Sequence, residues 1–259
     1  MPDDSLQDVG VLVTRPRRQA GDLVDAIESR GGRAYCFPVI EIAPFEAFDI
    51  RKRAAQLSKP DIAVFVSRNA VEYGLEFADG AKTAVIGPAT AAAVRAAGRV
   101  VDVRPTGGFD SEHLLAEEPL RDVEGKRIRI VRGRGGRELL AEELKKRGAV
   151  VEYLSVYERR VPQPGAGALA DLEARWRRGR IDVVTVMSVQ SLANLVELLP
   201  DWCVAQLEST PLVTPAGRVI KEALDRFPAS RPILAPGTGA DDMVRAIIAL
   251  HSTDSGLAP

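Results

Sequence analysis

Cysteine and histidine are scarce, with two of each in 259 residues. Cys36 and Cys203 stand far apart and neither belongs to a CxxC pair, while His113 and His251 are the only imidazoles. Zinc and iron–sulfur ligation therefore lack their usual ligands, and no metal is expected. The same shortage argues against a Ser-His-Asp triad, and no GxSxG elbow is present. Long apolar runs are missing too: none approaches the roughly 18 residues of a membrane span. The stretch from Met1 to Val9 is too acidic for a secretory signal, so a cytoplasmic protein without a membrane partner is expected. Nor is there an excess of one charge. Thirty-five Lys and Arg against 36 Asp and Glu leave a net charge of −1, so no global basic field invites nucleic acid. An anion site would have to be a local cluster. What is present is a hydrophobic fraction of 46%, enough for the core of one large domain or two small ones.

The chain also contains an internal repeat. The segment from Val11 to Val39 aligns without a gap with that from Ile128 to Val156, pairing Arg15 with Arg132, Arg17 with Arg134, Leu23 with Leu140 and Arg30-Gly31 with Arg147-Gly148. Each copy reads as a strand, a basic loop, a helix and a second strand. In the first helix Ala20, Leu23, Val24 and Ile27 recur at i, i+3, i+4 and i+7, a single apolar face. Gly31-Gly32 and Gly148 then end the helices, because glycine adopts the left-handed conformation at little cost. Later segments repeat more loosely. Val64 to Val71 parallels Thr185 to Leu192, each a strand followed by a serine that opens a helix. Ala84 to Thr90 parallels Leu212 to Gly217, and Pro105 to Asp110 parallels Pro236 to Asp241, where the carboxylates are placed to cap helices. Alternating short apolar strands and amphipathic helices predict an α/β fold, a doubly wound parallel sheet covered on both faces. Ligands in such sheets sit beyond the carboxyl ends of the strands. The loops at 15–18, 67–69, 87–90, 132–136, 188–190, 214–218 and 237–241 all follow strands, and two such rims facing each other would make a cleft.

Lys126, Arg127, Arg129, Arg132, Arg134 and Arg137 follow one another with no acid between them, and Arg15, Arg17 and Arg18 crowd the first copy's loop. Gly133, Gly135 and Gly136 let backbone N–H groups approach a ligand, and a following helix N-terminus adds partial positive charge. The ligand this predicts is anionic. Plainer readings stand beside it. Arg127 and Arg129 alternate with Ile128 and Ile130 and read as solvent-side residues of an exposed strand. Arg132, Arg134 and Arg137 could be a solvated charge run. N-capping alone accounts for Ser67, Ser188, Asp110 and Asp241, a first-turn helix position for Thr90, and an amphipathic rim position for Tyr157. Gly133-Arg134-Gly135-Gly136 lacks a P-loop ending and is not GxGxxG, so no nucleotide cofactor is expected. A two-lobed sensor that binds an anionic small molecule without catalysis remains open, as does a transferase using an activated sugar or nucleotide.

Arg132-Gly133-Arg134-Gly135-Gly136-Arg137-Glu138-Leu139-Leu140, continued through Arg147-Gly148-Ala149 to Val156-Tyr157-Glu158-Arg159, resembles a block of the uroporphyrinogen-III synthase family, cyclases of tetrapyrrole biosynthesis. Val13-Thr14-Arg15-Pro16, Val66 to Val71 and Ile86 to Ala91 fall in that family's order, and the resemblance spans residues 9–250 or so. In the second half it is looser: Val186-Met187-Ser188 stands where the family has Phe-Thr-Ser. The resemblance implies two flavodoxin-like domains joined by a two-stranded connector, one of residues 1–40 plus 160–259 and the other of 41–159, with crossings near 37–42 and 154–160. It implies a monomer that needs no cofactor. The substrate would be the polycarboxylate hydroxymethylbilane, cyclised between the domains with loss of water and inversion of ring D to give uroporphyrinogen III. Tyr157 would be the catalytic residue, since a phenol can donate to a departing hydroxyl. Arg15, Ser67, Arg68, Asn69, Thr90, Arg132, Gly133, Gly136, Arg137, Ser188, Gln190 and Arg218 would bind the substrate.

Overall fold

The computed structural model describes residues 5–136 and 138–254. In chain order the strands are β1 (Gly10–Val13), β2 (Arg33–Cys36), β3 (Glu41–Pro44), β4 (Ile62–Phe65), β5 (Lys82–Val85), β6 (Arg127–Gly133), β7 (Val150–Arg160), β8 (Val183–Thr185), β9 (Leu212–Thr214) and β10 (Pro232–Leu234). The helices are α1 (Gly21–Glu28), α2 (Ala47–Ala55), α3 (Arg68–Gly74), α4 (Pro88–Ala96), α5 (Ser111–Leu115), α6 (Leu139–Lys146), α7 (Ala166–Arg177), α8 (Val189–Leu198), α9 (Asp201–Gln206), α10 (Gly217–Arg226) and α11 (Ala240–Asp254). The chain divides into two units, one of residues 1–41 and 160–259 and the other of 42–159.

The first unit carries a sheet ordered β10-β9-β8-β1-β2, whose neighbouring pairs are all parallel. Counted along the chain within the unit, that order is the flavodoxin-like doubly wound arrangement. Alternation along β1 shows why both faces are covered: Leu12 packs into one apolar cluster with Leu192 and Leu195, while Val11 and Val13 pack into another with Leu23, Ile27 and Ile247.

The second unit's sheet is ordered β3-β7-β6-β4-β5. The pairs β7–β6, β6–β4 and β4–β5 are parallel, and Val103 adds a parallel bridge beside β5. With β6 and β7 taken as the counterparts of β1 and β2, the same strand order reappears. At the outer edge the Phe45 N–H donates to the Val156 carbonyl, and Glu41 meets Arg160 at 2.9 Å, so β3 and the end of β7 run in opposite senses. In α6 the apolar face Leu140, Ala141 and Leu144 is buried, and truncating Leu144 to alanine would cost about 2–5 kcal/mol. The helix ends where Gly148 takes φ +82° and the Ala149 N–H turns back to the Leu144 carbonyl.

Two expectations fail locally. Arg129 is buried, because β6 lies between β4 and β7 and is covered on both faces rather than exposed on one. Its guanidinium donates to the carbonyls of Phe77 and Ser58 at 2.8 and 2.7 Å, and burial pushes its pKa down. Arg127, the first residue of the strand, is exposed as expected. Asp110 caps α5 by accepting from the His113 N–H at 2.8 Å. Asp241 does not cap: it lies inside the first turn of α11 and faces Arg30 at 3.4 Å.

Candidate functional site

At the carboxyl ends of β4, β5 and β6 the second unit opens a cavity of about 200 Å³. Val66, Ile86, the segment from Arg132 to Gly136, Tyr153, Tyr157 and Arg159 line it, with Ser111 at the start of α5. This is where a doubly wound sheet places a ligand.

Tyr157 reaches the cavity through an irregularity in β7. Pairing with β6 runs from Arg127–Val150 to Arg132–Ser155 and then skips a residue, so that Gly133 sits opposite Tyr157 rather than Val156. An extra residue in a ladder turns the following side chain out of strict alternation. Leu154 and Val156 accordingly share an apolar cluster with the adjacent Tyr157. The ring lies so close to β6 that a Cβ on Gly133 would come within 2.6 Å of it, and only glycine allows that approach. The Tyr157 hydroxyl lies 3.1 Å from the Ser67 Oγ. Ser67 takes an extended backbone and caps α3 by accepting from the Ala70 N–H at 3.1 Å. One short chain of polar atoms thus joins a buried phenol to a helix N-terminus.

Arg132 is buried and is held inside the protein through its Nε and Nη1. Its Nε donates to the carbonyls of Gly133 and Gly135 at 3.3 and 3.0 Å, its Nη1 donates to Glu138 at 3.1 Å, and its guanidinium lies over the Tyr153 ring at 4.6 Å. The Tyr153 hydroxyl donates to the second Glu138 oxygen. That bond, and next the Arg132 guanidinium, hold the Glu138 carboxyl below the usual carboxylate range. Burial first, and Glu138 second, push Tyr153 up to about 12. Gly135 and Gly136 follow with φ of +73° and +119°, backbone that side-chain-bearing residues rarely adopt. Arg134 swings outward to pair with Glu158 at 2.7 Å and to lie over Phe45.

Tyr157, Ser67, Arg132, Gly133 and Gly136 are therefore brought together. Arg68 and Asn69 open α3, Arg68 being exposed, and Thr90 is buried in the first turn of α4; none of the three lines this cavity. Arg137 lies outside the described residues.

In the first unit Arg15, Ser188, Gln190 and Arg218 follow β1, β8 and β9. Ser188 repeats the geometry of Ser67, capping α8 through the Ser191 N–H at 3.1 Å, but its Oγ meets the Ser191 Oγ instead of a phenol. Gln190 donates to Asn194, and Arg218 is exposed in the first turn of α10. Arg15 donates from Nη2 to the Thr238 carbonyl at 2.8 Å, while its Nε is buried without a partner. Burial lowers its pKa, against a partial rise from Asp22.

Sequence reasoning missed Glu138 and Tyr153. The available signal was Glu138 itself, the first acid after the acid-free basic run from Lys126 to Arg137. Among the described residues no cluster of three or more His, Cys, Asp or Glu could hold a metal ion, and no helix is long and apolar enough to cross a membrane.

A family model described as uroporphyrinogen-III synthase HemD matches residues 21–245. The uroporphyrinogen-III synthase of Salmonella typhimurium is 32% identical over 204 residues, 75% of this chain and 81% of that protein. The Escherichia coli protein of the same name is 31% identical over the same shares. Among solved structures, uroporphyrinogen-III synthetase from Helicobacter pylori superposes with a TM-score of 0.63 at 13% identity, covering 93% of this chain and 99% of that one. A mutant uroporphyrinogen III synthase from Thermus thermophilus gives 0.58 at 20% identity, covering 95% and 99%. At those identities the structures speak for the fold.

Proposed function

Because the chain belongs to the uroporphyrinogen-III synthase family, we propose that it cyclises hydroxymethylbilane to uroporphyrinogen III, with loss of water and inversion of ring D. The observation that supports this most directly is the buried Tyr157 hydroxyl, 3.1 Å from Ser67, beside a cavity lined by Gly133, Gly135 and Gly136.

The linear bilane closes unaided to the symmetric isomer, so the protein's main work is to hold one conformation while the terminal hydroxyl leaves. Orientation of this kind contributes roughly 7–11 kcal/mol in well-aligned intramolecular reactions. Departure of the hydroxyl as water leaves an azafulvenium; the substituted carbon of ring D attacks it, and the resulting spiro intermediate rearranges and recloses. Tyr157 donates its phenolic hydrogen to the departing oxygen, and Ser67 keeps the phenol aimed. Carboxylates of the substrate are held by N–H groups at Gly133 and Gly136, by the first turns that carry Arg68, Asn69 and Thr90, and in the other unit by Arg15, Ser188, Gln190 and Arg218. Each charge-assisted bond contributes roughly 1.5–3 kcal/mol, so the loss of one among many weakens binding without abolishing it. We further propose a cytoplasmic monomer, which sedimentation of the purified protein tests.

The deciding experiment incubates the protein with freshly generated hydroxymethylbilane, oxidises the products and separates the porphyrin isomers. A predominance of the type III isomer is expected. A ratio equal to that of the protein-free reaction overturns the reading, as it would if the protein only bound the tetrapyrrole.

A further inference from the structure

The site contains a three-residue assembly, Arg132, Glu138 and Tyr153, with most of its polar atoms directed at one another rather than at open space. The Arg132 Nε bridges two carbonyls of the loop, those of Gly133 and Gly135. Those two glycines flank Arg134, whose N–H donates back to the Tyr157 carbonyl at 2.7 Å. The carbonyls that Arg132 gathers are thereby turned toward its guanidinium. Gly135 and Gly136, in the left-handed half of backbone space, are the residues most able to redirect their N–H groups if that grip is released. Glycine backbone of this kind has many alternative conformations, and ordering it costs entropy that something must offset.

Arg132 itself would be free to choose other rotamers were it not for Glu138 on one edge and the Tyr153 ring beneath it. Glu138 is in turn tied at its other oxygen by the Tyr153 hydroxyl. The planar guanidinium is suited to this duty because its donors point along fixed directions, whereas an ammonium would present one flexible point charge.

We propose that Glu138 and Tyr153 are positioning residues that act through Arg132 to set the shape of the Gly133–Gly136 loop, whose N–H groups then receive a carboxylate of the substrate. The proposal rests on the synthase reading given above and changes the part played by Arg132 within it: the arginine contributes less as a direct grip on the anion than as the clamp that orders the backbone that grips. An ordered loop holds the carboxylate equally in the ground state and in the transition state, so loosening it raises KM and leaves kcat nearly unchanged.

The test compares the full-length wild type with Tyr153→Phe, Glu138→Gln and Arg132→Lys in two measurements. The first is the steady-state formation of type III isomer from hydroxymethylbilane, resolved into KM and kcat. The second is the hydrogen exchange of the Gly133, Gly135 and Gly136 amides without substrate, set against that of α6 as an internal standard. Tyr153→Phe keeps the ring beneath the guanidinium and removes only the hydroxyl. A KM raised about 3- to 10-fold with kcat within twofold, together with faster exchange confined to the loop, is expected for it and for Glu138→Gln. Arg132→Lys is expected to show the largest rise in both. Unchanged KM, a fall in kcat alone, or a raised KM with unaltered loop exchange overturns the proposal. Should Tyr153→Phe fail to fold, Glu138→Gln at an exposed side chain carries the same decision. If the wild type itself makes no type III isomer, the synthase reading fails, and the exchange experiment still decides whether the clamp exists.

Discussion

The two copies of the repeat share a backbone and differ in what they do with the same arginine. Arg132 in the second copy has Glu138, Tyr153 and two loop carbonyls around it. At the positions equivalent to Glu138, Tyr153 and Tyr157 the first copy has Gly21, Cys36 and Ile40. Arg15 therefore has one carbonyl, that of Thr238, and a buried Nε with no partner. The strand-to-helix scaffold tolerates either arrangement because its stability comes from the apolar faces of α1 and α6, which match residue for residue at Leu23 and Leu140 and at Ile27 and Leu144. What separates the copies is prior satisfaction of hydrogen bonds. The second rim is already organised around a cavity, whereas the first keeps an arginine with donor capacity still to be met.

The largest effect should come from the residue that most distinguishes the copies. Tyr157→Phe is expected to lower the rate of type III formation by about 100-fold, in the range seen for loss of a general acid. In the first unit Ser188→Ala, at the counterpart of the serine that holds the phenol, should reduce the rate less than about threefold, since Ser188 meets Ser191 instead of a phenol. Equal losses in a coupled bilane assay would remove Tyr157 from the chemistry and erase the functional asymmetry between the rims.

Gly133→Ala tests the same contrast through packing. The added methyl would meet the Tyr157 ring at 2.6 Å, and the ring is buried between Tyr73 and the end of β6. A destabilisation of about 1–3 kcal/mol in denaturant unfolding is expected, with reduced activity because the phenol is displaced. In the first copy the corresponding position is Pro16, and Ile40 stands where the second copy has Tyr157. Wild-type stability in the alanine variant would show that the ring moves freely and is not held for a purpose.

Replacing each arginine by methionine sharpens the comparison further. Arg132→Met strands the carbonyls of Gly133 and Gly135 and leaves Glu138 without its cation, for an expected loss of about 1–3 kcal/mol. Arg15→Met removes a partly desolvated charge that has only one hydrogen bond to lose, so stability should change by less than about 1 kcal/mol. Substrate affinity should nevertheless fall, because Arg15 is one of the cations proposed to hold a substrate carboxylate. Urea unfolding of both variants, with KM determined alongside, checks the pair; an Arg15→Met protein with wild-type KM would show that this arginine takes no part in binding.

Much of this architecture was legible beforehand for identifiable reasons. Periods of two and near four in apolar residues report burial directly, so the strands, the helices and the caps at Ser67, Ser188 and Asp110 follow from local chemistry. The fate of Arg129 did not, since alternation marks which face a residue occupies and not whether a second layer covers that face. Here α3 and its following turn do, and the Phe77 and Ser58 carbonyls meet the charge. In the same way the arginine-glycine loop read as a grip for anions, while the clamp within it depended on Glu138 and on Tyr153, a residue from the next strand. The slip in register that places Tyr157 opposite Gly133 is likewise a property of two strands together and has no signature in either one.

The smallest expected effect lies at high pH and again separates the copies. Tyr153 titrates at about 12 in the folded protein, raised first by burial and then by Glu138, against about 10 for an unfolded tyrosine. A group whose folded pKa is raised favours the folded state while protonated in both states. Its contribution is thus complete below pH 10 or so and is lost as the pH rises toward 12. The Tyr153 side chain is partly open to solvent, so the loss should be a shallow decline in unfolding midpoint rather than a transition. Across the same interval Tyr153→Phe should fall less steeply than the wild type. Cys36→Ala, at the equivalent position of the first copy, should follow the wild type's slope through the part of the decline that tyrosine governs. Parallel curves for wild type and Tyr153→Phe would mean that the hydroxyl is not coupled to Glu138 in solution, and the second rim would then be no better organised than the first.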